Sequence, residues 1–450
     1  MNTVHRNHRL FVCAASLVLA LALPWSLAAQ DNGGDAIGPV PPVDAQDHSG
    51  HVHEAPPAAP ATRPPRFSSA AAINVDVDPE MQEMMTEFDR LTTAWAEEIG
   101  VVREAQIRFH NGTDQTEQEY RQIVQQHQQV VRERFEDVFQ QAIKMLRHQS
   151  EGQGYLKRFL SRTVAHRGNL DWYEGLAEAV DMLEQFLGEH AEPSFYSVAG
   201  RVHTVAGNFE KAKNYLQQAL QTEEPQDNDL RLLATMDKLA EAYQAEQQRL
   251  ANDPDDLPLV ELNTTRGRVV IELYEDQAPN TVANFIQLVE QGFYDELPFY
   301  QVMEHLFAMT GDPYGDGTGN SGQYIPDEAD HPDARAALHG SLVMAKLAIA
   351  RDPEGRTVPD SASSQFMIMY LPMDFRQGKY TTFGRVVEGM SAVAYFTRID
   401  PTKEKDENEV QLPPDRILTA RVLRKRDHDY AVEYVERESA LTPAGLPASN

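Results

Sequence analysis

Metal binding, phosphate binding and covalent catalysis each need particular side chains at particular spacings, and in this 450-residue chain the candidates are few. His48, His51 and His53 lie close enough in sequence to share a metal ion, but they stand in a run of Pro, Ala, Gly and Asp that reads as a solvated linker. No metal is therefore expected. Gly315-Asp316-Gly317-Thr318-Gly319 is rich in glycine, yet it follows no strand-to-helix pattern and holds no lysine, so it reads as a turn-forming loop and not a nucleotide cradle. Cys13 is the only cysteine and falls in an apolar leader, so thiol redox chemistry and disulfides are excluded from a chain that has lost it. No nucleophile stands beside a paired base, and no cofactor is implied.

The elements that would position any chemistry are easier to read. Basic residues number 40 against 69 acidic ones, a formal net charge of -29, which repels phosphate backbones and makes nucleic acid a poor partner. Residues 1–29 run from Arg6, His8 and Arg9 into an apolar stretch from Leu10 to Leu27 and then to Ala28 and Ala29. This reads as a signal peptide, cleaved instead of kept as a membrane anchor, and it predicts an exported bacterial protein, periplasmic or extracellular. Residues 30–77 have too little apolar content to offset their ordering entropy and read as a disordered linker.

From 78 to 252 the chain is rich in Gln, Glu, Ala and Arg, with apolar residues returning at helical spacing, so this domain is expected to be all helix. Ala199, Val202 and Ala206 share one face, Gly207-Asn208 breaks the helix, and Ala212, Leu216, Ala219 and Leu220 form the next apolar face. The stretch from Phe195 to Pro225 resembles a tetratricopeptide repeat, with Gly200 and Ala212 as the small residues where two helices touch and Phe209 and Leu216 as larger packing residues; a fainter copy lies at Gly168 to Leu187. Such a region can scaffold the molecule or dock a protein partner.

Alternation takes over in a domain spanning 256–426. Two alternating segments flank Gly267, as a hairpin requires, and Val282, Phe285, Ile286 and Val289 then fall at i, i+3, i+4 and i+7 behind Pro279. The tail, 427–450, reads as weakly structured. The order of segments carries a resemblance: the hairpin, Ala278-Pro279-Asn280-Thr281-Val282-Ala283-Asn284-Phe285, Gly292-Phe293-Tyr294-Asp295, Phe299, Gly311-Asp312-Pro313, Met344-Ala345, Ser364-Gln365-Phe366 and Gly378-Lys379-Tyr380 through Phe383-Gly384. Over some 170 residues, these resemble a cyclophilin.

The resemblance implies a multidomain α+β chain: a tetratricopeptide-like helical domain, then a closed antiparallel barrel of eight strands with capping helices. It also implies prolyl cis/trans isomerisation of proline-containing polypeptides, a reaction without covalent chemistry. The partial double bond of the amide makes uncatalysed rotation slow. A catalyst holds the ring in an apolar pocket, grips the preceding carbonyl, and donates a hydrogen bond to the prolyl nitrogen as it pyramidalises. In the family that donor is an arginine, whereas this sequence reads Phe299-Tyr300-Gln301-Val302-Met303, so Gln301 stands in its place.

By the same resemblance, the substrate groove should draw on Phe299, Leu306, Phe307, Met309, Ala345, Lys346, Met367, Phe375 and Tyr380, with Gln365 retained beside Gln301 as catalytic. Met309 replaces a carbonyl-gripping Gln, Met367 the Phe of the pocket floor, Lys346 an Asn, Phe375 a Trp and Tyr380 a His. The expected activity is therefore reduced, unless Arg376 swings in as a substitute. The alternatives are a barrel that binds proline-containing peptides without turnover, and a helical assembly adaptor carrying a passive barrel.

Overall fold

The computed structural model describes residues 78–436, apart from 113–115, 152, 189–190, 223–224, 350–355, 374–379 and 404–411. The leader with Cys13, the linker with its three histidines, and Phe375 with Arg376 lie outside the described residues.

Asp78 starts helix α1 (Pro79–His110): its carboxylate accepts from the Met81 N–H at 2.8 Å, and Pro79 occupies a first-turn position where a missing N–H costs little. Helix α2 (Glu117–His148) opens on a capping box between Thr116 and Glu119 and packs along α1 through Trp95 and Phe135, whose rings lie 5.3 Å apart. Helices α3 (Gly154–Asn169), α4 (Ala177–Leu187), α5 (Pro193–Val205), α6 (Phe209–Ala219) and α7 (Asp227–Leu250) complete an all-helical unit. The expected hairpin is α5 with α6. Bare backbone at Gly200 lets Leu216 sit where a Cβ would come within 2.6 Å of its Cγ. The fainter upstream copy is the end of α3, a turn and α4, and the likeness to tetratricopeptide repeats rests on sequence alone.

The second unit holds strands β1 (Leu259–Thr264), β2 (Gly267–Leu273), β3 (Gln301–Met303), β4 (Phe307–Thr310), β5 (Ser341–Met344), β6 (Phe366–Met369), β7 (Thr382–Glu388) and β8 (Ile417–Arg424), with helices α8 (Pro279–Glu290) and α9 (Met390–Ala394). They form one antiparallel sheet in the order β3-β4-β6-β5-β7-β2-β1-β8, curled around a core that includes Leu262, Ile271, Phe285, Phe366 and Phe383. The expectation of a closed barrel is corrected to an open, curled sheet. Its edges are β3 and β8, joined by the isolated bridge Pro298↔Arg416 and not by a ladder, because β3 is only three residues long. Beyond β8, residues 425–436 form neither helix nor strand but lie along α8: the Gln287 amide donates to Tyr430 O at 2.6 Å, and Val435 N–H to Tyr324 O at 2.8 Å.

The two units share buried surface. Leu371, just after β6, is 0% exposed and belongs to the core of the helical unit, while Ala394 and Tyr395 pack with Trp172. Ion pairs and a hydrogen bond seal the seam: Arg335 reaches Glu246 at 2.7 Å and Asp253 at 2.9 Å, and Arg231 donates to Pro372 O at 2.9 Å.

Candidate functional site

Period-two alternation sorts the side chains of β4, β5 and β6 between two faces. Ala308, Leu342, Met344, Phe366 and Ile368 enter the interior core; Phe307, Met309, Val343, Met367 and Met369 gather on the outer face with Ala337, Met373 and Tyr380. Ladder register then aligns them. Gln301 pairs with Met309, Met309 with Met367, and Met367 with Val343, so four adjacent strands present one continuous row. A second row runs Met303, Phe307, Met369. At strand spacings of about 4.8 Å, Gln301 stands roughly 10 Å from the Met367 position, within reach of a dipeptide laid across the row.

The polar rim is built on Tyr300, which the sequence reading did not single out. Its hydroxyl lies 2.7 Å from Gln365 Oε1 and 2.7 Å from Met309 Sδ, and burial together with Asp312 and Asp316 pushes its pKa up, keeping it a neutral donor. The Gln365 amide donates to Gly317 O at 3.2 Å and Gly319 O at 2.6 Å. Its hydrogens thus organise the glycine loop. Asp312, 0% exposed, shapes the same loop by accepting from Tyr314 N–H at 2.8 Å and Asp316 N–H at 3.1 Å. Gly311 lets β4 close on the neighbouring segment: its φ is +92°, and a Cβ there would meet Ser364 O at 2.1 Å.

Gln301 itself is half-buried, and among the described residues its amide donates only to Met303 Sδ, at 3.0 Å. A thioether is a weak acceptor, so this donor can be redirected at small cost.

The candidate residues divide as follows. Gln301, Phe307, Met309, Met367, Tyr380 and Gln365 come together on or beside the outer face. Ala345 borders it through its backbone N–H, which donates to Gln365 O at 2.9 Å. Phe299 is corrected to an interior residue: it is 0% exposed, with its ring 4.2 Å from that of Phe396. Leu306 lines a separate cleft with Ser194 and Arg201 of the helical unit. The Lys346 side chain is 4% exposed and its ammonium is paired with Asp327, which withdraws it from a groove-facing role. Phe375 lies outside the described residues. Val343, Met369 and Met373 were missed, because Ser341–Met344 and Phe366–Met369 are buried at every position and carry no in-out alternation to separate the two faces.

The β3–β4 turn carrying this row is anchored from the helical side. His305 takes φ +60°, and its Nδ1 lies 2.5 Å from Asp171 Oδ1 while its Nε2 faces Arg201 Nη1 at 2.6 Å. Because the guanidinium can only donate, Nε2 accepts and Nδ1 carries the hydrogen to Asp171. Asp171, 0% exposed, also accepts from Arg398 at 2.8 Å and from Tyr173 at 2.7 Å. Burial raises its pKa, but His305 and Arg398 outweigh that and hold it below the ordinary value.

Residues 259–422 match the family model described as cyclophilin type peptidyl-prolyl cis-trans isomerase/CLD. The chain is 33% identical over 171 residues to peptidyl-prolyl cis-trans isomerase-like 1 of Neurospora crassa, covering 37% of this chain and 96% of that one. It belongs to the cyclophilin-type peptidyl-prolyl isomerase family. The human protein of the same name is 35% identical over 139 residues, covering 30% of this chain and 77% of its own. A crystal structure of a cyclophilin-type isomerase from Cryptosporidium parvum aligns over 38% of this chain and 99% of its own, at 24% identity and a TM-score of 0.31.

Cyclophilin domains bind proline-containing peptides; on this face Phe307 and Met309 are partly exposed, whereas Met367 is 4% and Val343 and Met369 are 0% exposed, packed under their neighbours. The expectation of an exported, bacterial periplasmic or extracellular protein is corrected by these relatives, which come from fungi and mammals. The leader from which it was read, 1–29, lies outside the described residues.

Proposed function

We propose that this chain isomerises X-Pro bonds of polypeptides on the row Gln301–Met309–Met367–Val343, and that it does so slowly. The observation that carries the reading is the ladder register, which sets an amide donor, held only by a thioether, at the head of an apolar row. Met309, Met367 and Phe307 hold the proline ring, and Gln301 turns from Met303 to donate to the prolyl nitrogen. A neutral donor stabilises that nitrogen less than a charged one by about 1 to 2 kcal/mol, which corresponds to roughly 5- to 30-fold in rate. Tyr300 and Gln365 act on the loop beside the row and need not touch the reacting bond.

A protease-coupled isomerisation assay on the full chain tests this. Wild type should exceed the uncatalysed rate, Gln301→Arg should exceed wild type by about 5- to 30-fold, and Gln301→Ala should fall towards background. If neither wild type nor Gln301→Arg surpasses the uncatalysed rate, the enzyme reading fails.

One observation favours a second reading, a module that binds without turnover: both amide hydrogens of Gln365 are committed to the glycine loop, leaving Gln301 as the one side-chain amide at the row among the described residues. In that case Gln301→Arg alone turns over, while wild type binds an Ala-Pro peptide without accelerating its rotation. The helical unit would then be where a protein partner docks.

A further inference from the structure

Away from the row, a cleft of about 810 Å³ opens between α2 and the β7–α9 end of the sheet. Its volume falls in the range of small-molecule sites. Most charges in it are paired. Arg167 holds Glu136 at 2.7 Å, His339 faces Glu174 at 2.9 Å, and Arg268 pairs with Glu388.

Arg132 is the exception. It lines the cleft, is 6% exposed, and pairs with no carboxylate of the described residues; its Nη2 donates to Arg266 O at 2.8 Å, and its Nε has no partner. The guanidinium is wedged under the β1–β2 turn, where a Cβ on Gly267 would lie 2.7 Å from Nη2. Arg266, paired with Asp415 at 2.8 Å, adds positive charge nearby. Burial, reinforced by Arg266 and only partly offset by Tyr395 and Glu133, brings the Arg132 pKa down to about 10. A buried cation without a counter-ion is strongly destabilising, so such a site favours an incoming anion.

The other walls narrow its chemistry. Trp172, Val386 and Met390 offer apolar surface, whereas the exposed Glu133, the one of the lining glutamates without an ion pair among the described residues, adds negative charge that repels a dianion more than a monoanion. We infer that this cleft binds a small organic monocarboxylate, its carboxylate on the Arg132 guanidinium and its apolar body against Trp172 and Met390. The inference does not depend on isomerase activity.

Calorimetric titration and thermal melting of the full chain with sodium hexanoate test it, with sodium chloride at matched ionic strength and inorganic phosphate as comparison arms. Wild type should bind hexanoate saturably and melt higher with it than with chloride, and phosphate should bind at least threefold more weakly. Arg132→Met should weaken hexanoate binding at least tenfold and melt no lower than wild type in anion-free buffer, since it removes an unpaired charge. Glu133→Gln, on the exposed rim, should tighten binding and serves if Arg132→Met does not fold. Equal responses of wild type to hexanoate, phosphate and chloride, or unchanged hexanoate affinity in Arg132→Met, would overturn the inference.

Discussion

At the scale of single residues the site turns on what each amide and hydroxyl is already holding. Gln301 holds a thioether and is free to turn; Gln365 holds two carbonyls and is not. Tyr300 links Gln365 to Met309, the cross-strand partner of Gln301. Tyr300→Phe should therefore cost about 1 kcal/mol of stability and also lower the affinity for an Ala-Pro peptide severalfold, read by heteronuclear shift titration. Unchanged affinity would show that the loop does not shape the groove. Gly311→Ala should do more damage, since both its φ and the contact with Ser364 O resist a side chain; we expect a loss of more than 2 kcal/mol in urea unfolding.

Among elements, the β3–β4 hairpin is where sequence reasoning was strongest and also where it failed. Met309 and Met367 were singled out through the family resemblance and not through periodicity, since Phe366–Met369 is apolar at every position and buried throughout. Phe299 was mis-sorted for a local reason. It precedes β3, its N–H bonds Asp415 O at 2.8 Å outside the main ladder, and the in-out parity that starts at Gln301 does not extend back to it. His305 was invisible for a different one: its partners Asp171 and Arg201 lie 134 and 104 positions away, and no periodicity reports such a meeting. Asp171→Asn leaves Arg398 without its anion and should cost about 3 to 5 kcal/mol, measured by denaturant unfolding. If the hairpin depends on this anchor, the variant should lose peptide affinity under conditions where it is still folded; full retention would make the network purely structural.

For the molecule as a whole, the seam between helices and sheet carries a titratable pair, His339 with Glu174. Both ring nitrogens of His339 face acceptors, Tyr370 O at 2.6 Å and Glu174 Oε1 at 2.9 Å, an arrangement that suits the imidazolium. Burial alone would lower its pKa, but Glu174 outweighs burial and raises it. A raised folded-state pKa gives stability that is fully present below the unfolded value of about 6.5 and is lost as pH climbs through the folded value. The margin of wild type over His339→Gln should accordingly shrink between pH 6 and pH 9 in thermal melts; a constant margin would place the titration elsewhere. The open sheet edge and this seam escaped the sequence because both depend on how distant segments meet. One such meeting reaches the groove itself: Leu371 is buried in helical packing only two positions from Met373 on the outer face. A peptide that tightens its hold on one end of that short tether must alter how firmly the other end is seated, by an equal free energy in each direction. Cutting the helices away would therefore leave a sheet whose hydrophobic hook hangs in water, and measurements on such a fragment would describe a different binder.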